Sequence, residues 1–481
     1  GTIAFNEPGS QASSYCRLVL LGNETRHRIS KEFKCDDVPT TAITLGMANL
    51  VSARRLLTMA WGENSSDIIF RTVEEHATPA VPASLLQGHP HVKVVTDLAG
   101  AENLTRISKP WKVTSCDWND KLIRRAIVWL CEMTQKPILK LTDKDYNDWG
   151  LGELLALYGS AYNVNIKIFN DLQHTITGWP GGKPNADDTY RPERAHPYPK
   201  RGIVFSPHPD DDVISMGGTL KRLVDQHHDV HVAYETSGNI AVGDEDMMRY
   251  FLMMDKIAPI FGFDNENYKR LSNEVSGFVH NKKTGDVDSH DIREIKTMIR
   301  QAEATIACNY IGVKPGHIHF LRLPFYETGT IKKGELEQRD VDIIIKLLRD
   351  VKPHEIVAGD LADPHGTHKV CTDAVLAAID ELKDEEWLAD CRIWMYRGAW
   401  AEWEIDHIEM AVPISPEELR FKRNSILKHQ SQMENAPFLG DDDRLFWQRA
   451  EERNRATAQL YQNLGLASYE AIEAFVQYKP L

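Results

Sequence analysis

No run of apolar residues in this chain approaches the roughly 18 needed to read as a membrane span. Positive charge is also in short supply: 56 Lys plus Arg stand against 70 Asp plus Glu, a formal net charge of −14. That balance argues against a nucleic-acid polyanion as the main partner. The seven cysteines, Cys16, Cys35, Cys116, Cys131, Cys308, Cys371 and Cys391, include no C-x-x-C pair, and several sit inside apolar patterns. They read as buried reduced thiols rather than a disulfide frame, which points to a cytoplasmic protein. No signal-peptide pattern is visible, and with Gly1 where a Met would stand the natural start is expected upstream. What the chain does have is length: 481 residues give room for two or three domains, each with its own core.

The densest chemistry lies in the stretch Gly202-Ile-Val-Phe-Ser-Pro-His-Pro-Asp-Asp-Asp212. Residues 202–206 are a short apolar, β-branched run of the kind that forms a buried strand, and Val213, Met216, Leu220, Leu223 and Val224 recur at helical spacing after it. His208, Asp210 and Asp211 therefore fall on a strand-to-helix turn, where open parallel sheets place ligands. Asp at a helix start is also a common cap, so Asp210 to Asp212 alone admit a purely structural reading. A second cluster weighs against it. Asp363-Pro-His-Gly-Thr-His368 again follows a strand-like run, 355–359, and precedes a helical pattern at Val370, Ala374, Val375, Ala378 and Leu382. Converging at the same end of two strands, His208, Asp211 and His368 supply three N/O ligands and leave a position for water, the pattern of catalytic rather than structural zinc.

These paired motifs resemble the zinc-dependent de-N-acetylases of the LmbE-like, or PIG-L, family. The family's A/P-H-P-D-D-E/D motif is matched by Pro207 to Asp212, and its H-x-x-H by His365 to His368. Arg300-Gln-Ala-Glu303, running on through Ala307 to Gly312, is similar to an internal family helix, and Lys428-His-Gln-Ser-Gln432 to a late family motif. The likeness spans residues 200–433. It implies removal of the acetyl group from an N-acetylglucosamine-type small molecule, phosphorylated or not, with Zn2+ as cofactor; Fe2+, Co2+ or Mn2+ also accept such ligands. The metal falls to His208, Asp211 and His368. Asp210 becomes the general base that passes a proton on to the leaving amine, and His365 the group that holds the oxyanion. One departure stands out. Many relatives have H-P-D-H at the second motif, whereas Gly366 and Thr367 fill the middle here, so Asp363 or Asp360 is expected to substitute as the orienting acid.

The first 106 residues resemble a different family. Gly1-Thr-Ile-Ala-Phe-Asn-Glu-Pro-Gly-Ser10, Pro39 to Met47 and Leu56 to Gly62 are similar to the second half of glucosamine-6-phosphate deaminases. Glu7 and Arg17 match that family's site, while its ring-opening histidine falls at Thr2 and its phosphate-binding lysine near Ser65. Residues 107–176 read as a helical connecting segment, with helical spacing at Leu122, Ile123, Ala126, Ile127 and Leu130 and a strand-like alternation at 164–169. Trp111, Trp118, Trp129 and Trp149 there read as packing. Residues 177–201, with five prolines and the pair Gly181 and Gly182, read as an extended linker.

From 202 to 433 the alternation of strands and helices predicts a doubly wound, Rossmann-like, mostly parallel α/β sheet, preceded by the partial α/β deaminase-like domain. Residues 240–290 read as an insertion that shapes a substrate pocket. Asn239, Arg249 and His429 are the candidate substrate contacts, though an ordinary turn at 236–239 and a packed histidine at 429 are the commoner outcomes. Ser415-Pro-Glu-Glu418 is a helix start, and residues 434–481 read as a helical tail that packs on the deaminase-like half or on a second copy, so a homo-oligomer is open. Two other functions also stay open: deamination of an amino-sugar phosphate, and sugar-phosphate binding without catalysis.

Overall fold

The computed structural model describes residues 3–33, 38–186, 195–283, 286–330, 333–361, 366–398, 401–433 and 444–479. They divide into two units, Gly1–Trp118 and Asn119–Leu481. In the first, β1 (Arg17–Leu20) pairs antiparallel with β2 (Thr41–Thr44), and β3 (Leu56–Met59) pairs parallel with β4 (Val92–Val95). Trp111 stacks on Trp118 at 6.1 Å between ring centroids.

The second unit is built on one seven-stranded mixed sheet. Its strands are β5 (Arg201–Ser206), β6 (Asp229–Tyr234), β7 (Ile318–Phe320), β8 (Glu355–Gly359), β9 (Arg392–Tyr396), β10 (Met410–Ile414) and β11 (Ala471–Tyr478), in the spatial order β10-β11-β9-β8-β5-β6-β7. The five from β7 to β9 run parallel, while β11 is antiparallel to both β9 and β10. The sequence of β5 shows why it is central. Ile203 and Phe205 enter one core with Ile344, Ile356 and Cys371, whereas Val204 enters the other with Val213, Leu220 and Val232. A strand apolar on both faces must be covered on both, and burying each such side chain contributes about 1.5–3 kcal/mol. Gly218 lets the helix Asp211–Asp225 approach β10 closely, since a Cβ there would stand 2.8 Å from Ile414 Cδ1.

Three expectations change. Residues 164–169 alternate but lie inside the helix Ala161–Thr175, because Val164, Ile168 and Leu172 also satisfy the helical period and Ser160 caps the start. The Pro-rich stretch is not a free tether: Thr177 N–H donates to Ala411 O at 2.9 Å, and Gly181 sits where a Cβ would meet His228 Nε2 at 2.5 Å. Proline and glycine exclude helix there without excluding packing. The final segment is a helix, Phe446–Asn463, followed by β11, which lies inside the sheet. Among the described residues no helix is long and apolar enough to cross a membrane.

Candidate metal centre

The site is set by how β5 ends. Ser206 Oγ donates to His208 O at 2.6 Å and accepts the Asp212 N–H at 3.0 Å, while the Asp210 and Asp211 N–H groups donate to the same His208 carbonyl at 2.8 and 3.3 Å. This tight turn sends the aspartates in different directions. β8, hydrogen-bonded beside β5, is followed after residue 366 by the helix Gly366–Glu381, whose first turn carries His368.

His208 Nδ1, Asp211 Oδ2 and His368 Nε2 form a nearly equilateral triangle. The separations are 3.2 Å from His208 to Asp211, 3.0 Å from His208 to His368 and 3.2 Å from His368 to Asp211. Donors at about 2.05 Å around a tetrahedral ion stand about 3.3 Å apart, so the triangle fits such a cation. Asp211 and His368 are each 4% exposed. Burial raises the Asp211 carboxyl, but His368 and His208 outweigh it and hold it well below the usual carboxylate range. Burial also pushes His208 down, which favours the neutral, lone-pair form. A divalent metal suits this His, Asp, His set.

Asp210 points elsewhere, with Oδ2 3.3 Å from Arg300 Nη2, and burial raises its carboxyl against the pull of Arg300. Arg300 is 1% exposed, and its Nε and Nη1 have no hydrogen-bond partner among the described residues. Gly238 makes room for it at φ 62°, where a Cβ would stand 3.0 Å from Arg300 Nε. Asp212 turns inward, accepting from Tyr234 O–H at 3.1 Å; burial pushes its carboxyl up to about 7.

Asp360 follows β8 and pairs with Arg397 at 3.5 Å. Asn239 is buried and donates to Thr297 Oγ1 at 3.4 Å. His429 is fully buried with neither ring nitrogen partnered among the described residues, and burial, then Arg300, pushes it down to about 3. Arg249 lies on the exposed face of the helix Asp244–Phe261 and pairs with Asp246, while Met247 and Phe251 take the buried face. His365 and Asp363 lie outside the described residues, as does Thr2. In the first unit Glu7 accepts the Gly22 N–H at 3.1 Å, and Arg17 donates to Asn6 Oδ1 and Ser10 Oγ, each at 3.0 Å.

Two residues near the metal centre escape a reading by motif. Glu235, the residue after β6, is 1% exposed; burial pushes its carboxyl up to about 8, with His368 and Asp211 as its charged neighbours. Tyr326 sets its ring edge to face against His208, with centroids 5.9 Å apart. An acid in an apolar position was the available signal for Glu235; nothing in the local sequence marks Tyr326. The motif at 428–432 gains a reason, since Ser431 N–H and Oγ both donate to Glu303, each at 2.7 Å. A second group, Asp229, His231 and His317, clusters at the start of β6 and β7. There the His231 and His317 rings stack at 3.9 Å and 9°, so their in-plane lone pairs do not converge on one ion.

The sequence profile described as GlcNAc-PI de-N-acetylase, PIG-L, matches residues 203–379. A glucosamine-6-phosphate deaminase-like protein of Bacteroides thetaiotaomicron is 63% identical over 490 aligned residues, covering 100% of this chain and 73% of that protein. The glucosamine-6-phosphate deaminase of Streptococcus thermophilus is 38% identical over 105 residues, 22% of this chain and 45% of the enzyme, so the chain spans under half of it. Among solved structures, the N,N'-diacetylchitobiose deacetylase from Pyrococcus horikoshii aligns with 60% of this chain and 87% of its own at 19% identity, with a TM-score of 0.37, too low to carry an argument. The chain belongs to the family of glucosamine-6-phosphate deaminase-like proteins, and carries a metal-binding de-N-acetylase domain of the PIG-L type behind a deaminase-like N-terminal region.

Proposed function

We propose that the chain hydrolyses the acetamide of an N-acetylglucosamine-type small molecule, releasing acetate and a free amino sugar. The observation that carries this reading is the His208, Asp211, His368 triangle with a separate buried carboxylate, Asp210, on the same turn. His208, Asp211 and His368 would hold Zn2+, with Fe2+, Co2+ or Mn2+ as acceptable substitutes, and the metal supplies Lewis-acid polarisation of the reacting oxygens. Asp210 takes a proton from the attacking water and returns it to the nitrogen as the C–N bond breaks. Arg300 holds Asp210 in place and opposes the upward push of burial on its carboxyl. His365 is assigned to the oxyanion, Asp363 or Asp360 to orienting it, and Asn239 and His429 to the wall of the sugar pocket.

We further read the second unit as a doubly wound, Rossmann-like sheet. Strand order supports this: β6 and β7 extend to one side of β5, and β8 and β9 to the other, so the two metal motifs flank the point where the order reverses. The hydrolase domain is taken as 202–433 and the deaminase-like region as 1–106. Free buried thiols at Cys131, Cys308 and Cys371 support a reducing, cytoplasmic setting.

The test is acetate release by the full chain from N-acetylglucosamine and its phosphorylated derivatives, before and after chelation. Release that stops with chelator and returns with zinc is the expected result. Failure of the metal-loaded protein to release acetate from any member of the panel contradicts the proposal.

A further inference from the structure

Lys333 occupies an unusual position beside the metal centre. Its Nζ lies 3.6 Å from the centroid of the Tyr326 ring, and that ring in turn stands 5.9 Å from the ring of His208. One aromatic ring thus stands between the ammonium and the His208 imidazole. Gly334 N–H donates to Phe325 O at 2.8 Å, and Phe325 N–H donates to Asp340 Oδ1 at 2.9 Å, so the residue after Lys333 is tied to the residue before Tyr326.

Among the described residues no carboxylate pairs directly with this charge. Lys333 is half-buried, and among the described residues its Nζ makes one hydrogen bond, to Thr330 O at 3.3 Å, and no ion pair. The acid acting on it, Glu327, is committed elsewhere, to Arg322 Nη2 at 3.2 Å and to the Ser237 N–H at 3.3 Å. Among the described residues a ring face and a carbonyl are the direct contacts of this half-buried cation, and Glu327 acts on it only at longer range. Tyr326 is 4% exposed and has Arg300 and Asp210 as electrostatic neighbours, so the aromatic ring joins the cation to the reacting end of the site.

We propose that Lys333, seated on Tyr326, is a specificity residue that receives an anionic substituent of the sugar, a phosphate or a carboxylate, while the acetamide lies at the metal. This rests on the de-N-acetylase reading and narrows its substrate class to charged N-acetylhexosamines. Burial lowers the Lys333 ammonium to about 8, so the charge is present at neutral pH and the preference for anions fades above that value.

The experiment compares the full chain with Lys333→Met and Lys333→Arg on N-acetylglucosamine, its 6-phosphate, its 1-phosphate and its 6-carboxylate. The expected result is at least a tenfold preference in kcat/KM for one charged sugar, carried by KM. Lys333→Met should lose that preference with kcat and the neutral sugar unchanged, and Lys333→Arg should restore it. Which charged sugar responds separates phosphate from carboxylate. Calorimetric binding of the same compounds to Asp210→Asn, with and without Lys333→Met, reads the contact without turnover. If no compound is deacetylated but Lys333→Met still weakens anion binding, the de-N-acetylase reading fails and the anion subsite stands. A wild-type enzyme indifferent to charge, or anion binding unmoved by Lys333→Met, overturns the inference.

Discussion

Replacing Asp210, Asp211 and Asp212 by asparagine one at a time separates three tasks that a single D-D-D run cannot distinguish on paper. Asp211 Oδ2 is a corner of the metal triangle, so Asp211→Asn exchanges an anionic ligand for a neutral one and leaves two imidazoles to hold the ion. Metal should be lost, and activity with it. Asp210 lies outside the triangle, paired with Arg300 at 3.3 Å. Asp210→Asn should keep the metal and lower kcat by about 10²- to 10⁴-fold, the usual contribution of a general base. Even the lower figure corresponds to about 2.7 kcal/mol of barrier. Asp212 is fully buried, and near neutral pH its carboxyl, pushed up to about 7, spends much of its time protonated. An amide has the same shape and still accepts from Tyr234 O–H, so Asp212→Asn should cost about 1 kcal/mol or less and leave turnover within a few-fold. Acetate release, metal content and urea melts on the three variants decide the matter. If Asp212→Asn loses metal while Asp211→Asn keeps it, the assignment of the turn is wrong.

Three further outcomes follow from the same contacts. His228 is held down to about 4 by burial, with Lys200 and His227 adding to it, from 6.5 when free. The unfolded chain then binds the proton first, so stability is lost as pH falls from 6.5 towards 4; His228→Gln should flatten that part of the profile in urea titrations at pH 5 and pH 8. Lys422 and Glu473 form a fully buried pair at 2.7 Å, and Glu473 also accepts the Gly218 and Thr219 N–H groups, so Glu473→Ala should destabilise by roughly 3–5 kcal/mol in chemical denaturation. Ser415 and Glu418 cap their helix reciprocally at 3.2 and 2.8 Å; Ser415→Ala should cost about 1 kcal/mol by the same measurement.

Legibility in the sequence follows locality. The ligands His208 and Asp211 sit within five residues of the end of β5, and His368 in the first turn of the helix after β8, so short motifs and the strand-to-helix switch expose them. The capping box at Ser415 is likewise contained in four residues. Arg300 was visible only through a family likeness, because its contact with Asp210 bridges 90 residues of chain and depends on a left-handed Gly238. Tyr326, which meets His208, and Lys333, which meets Tyr326, are invisible for the same reason: each lies on a loop with no pattern of its own. β11 was hidden by Glu473, whose charge breaks the apolar pattern of the strand until Lys422 is seen beside it.

Metal analysis of the purified full chain beside His368→Ala tests the central claim most directly. The wild type should carry about one equivalent of a divalent metal and the variant none, with acetate release lost in parallel. Metal retained at full stoichiometry in His368→Ala, or acetate release that survives the loss of metal, contradicts it.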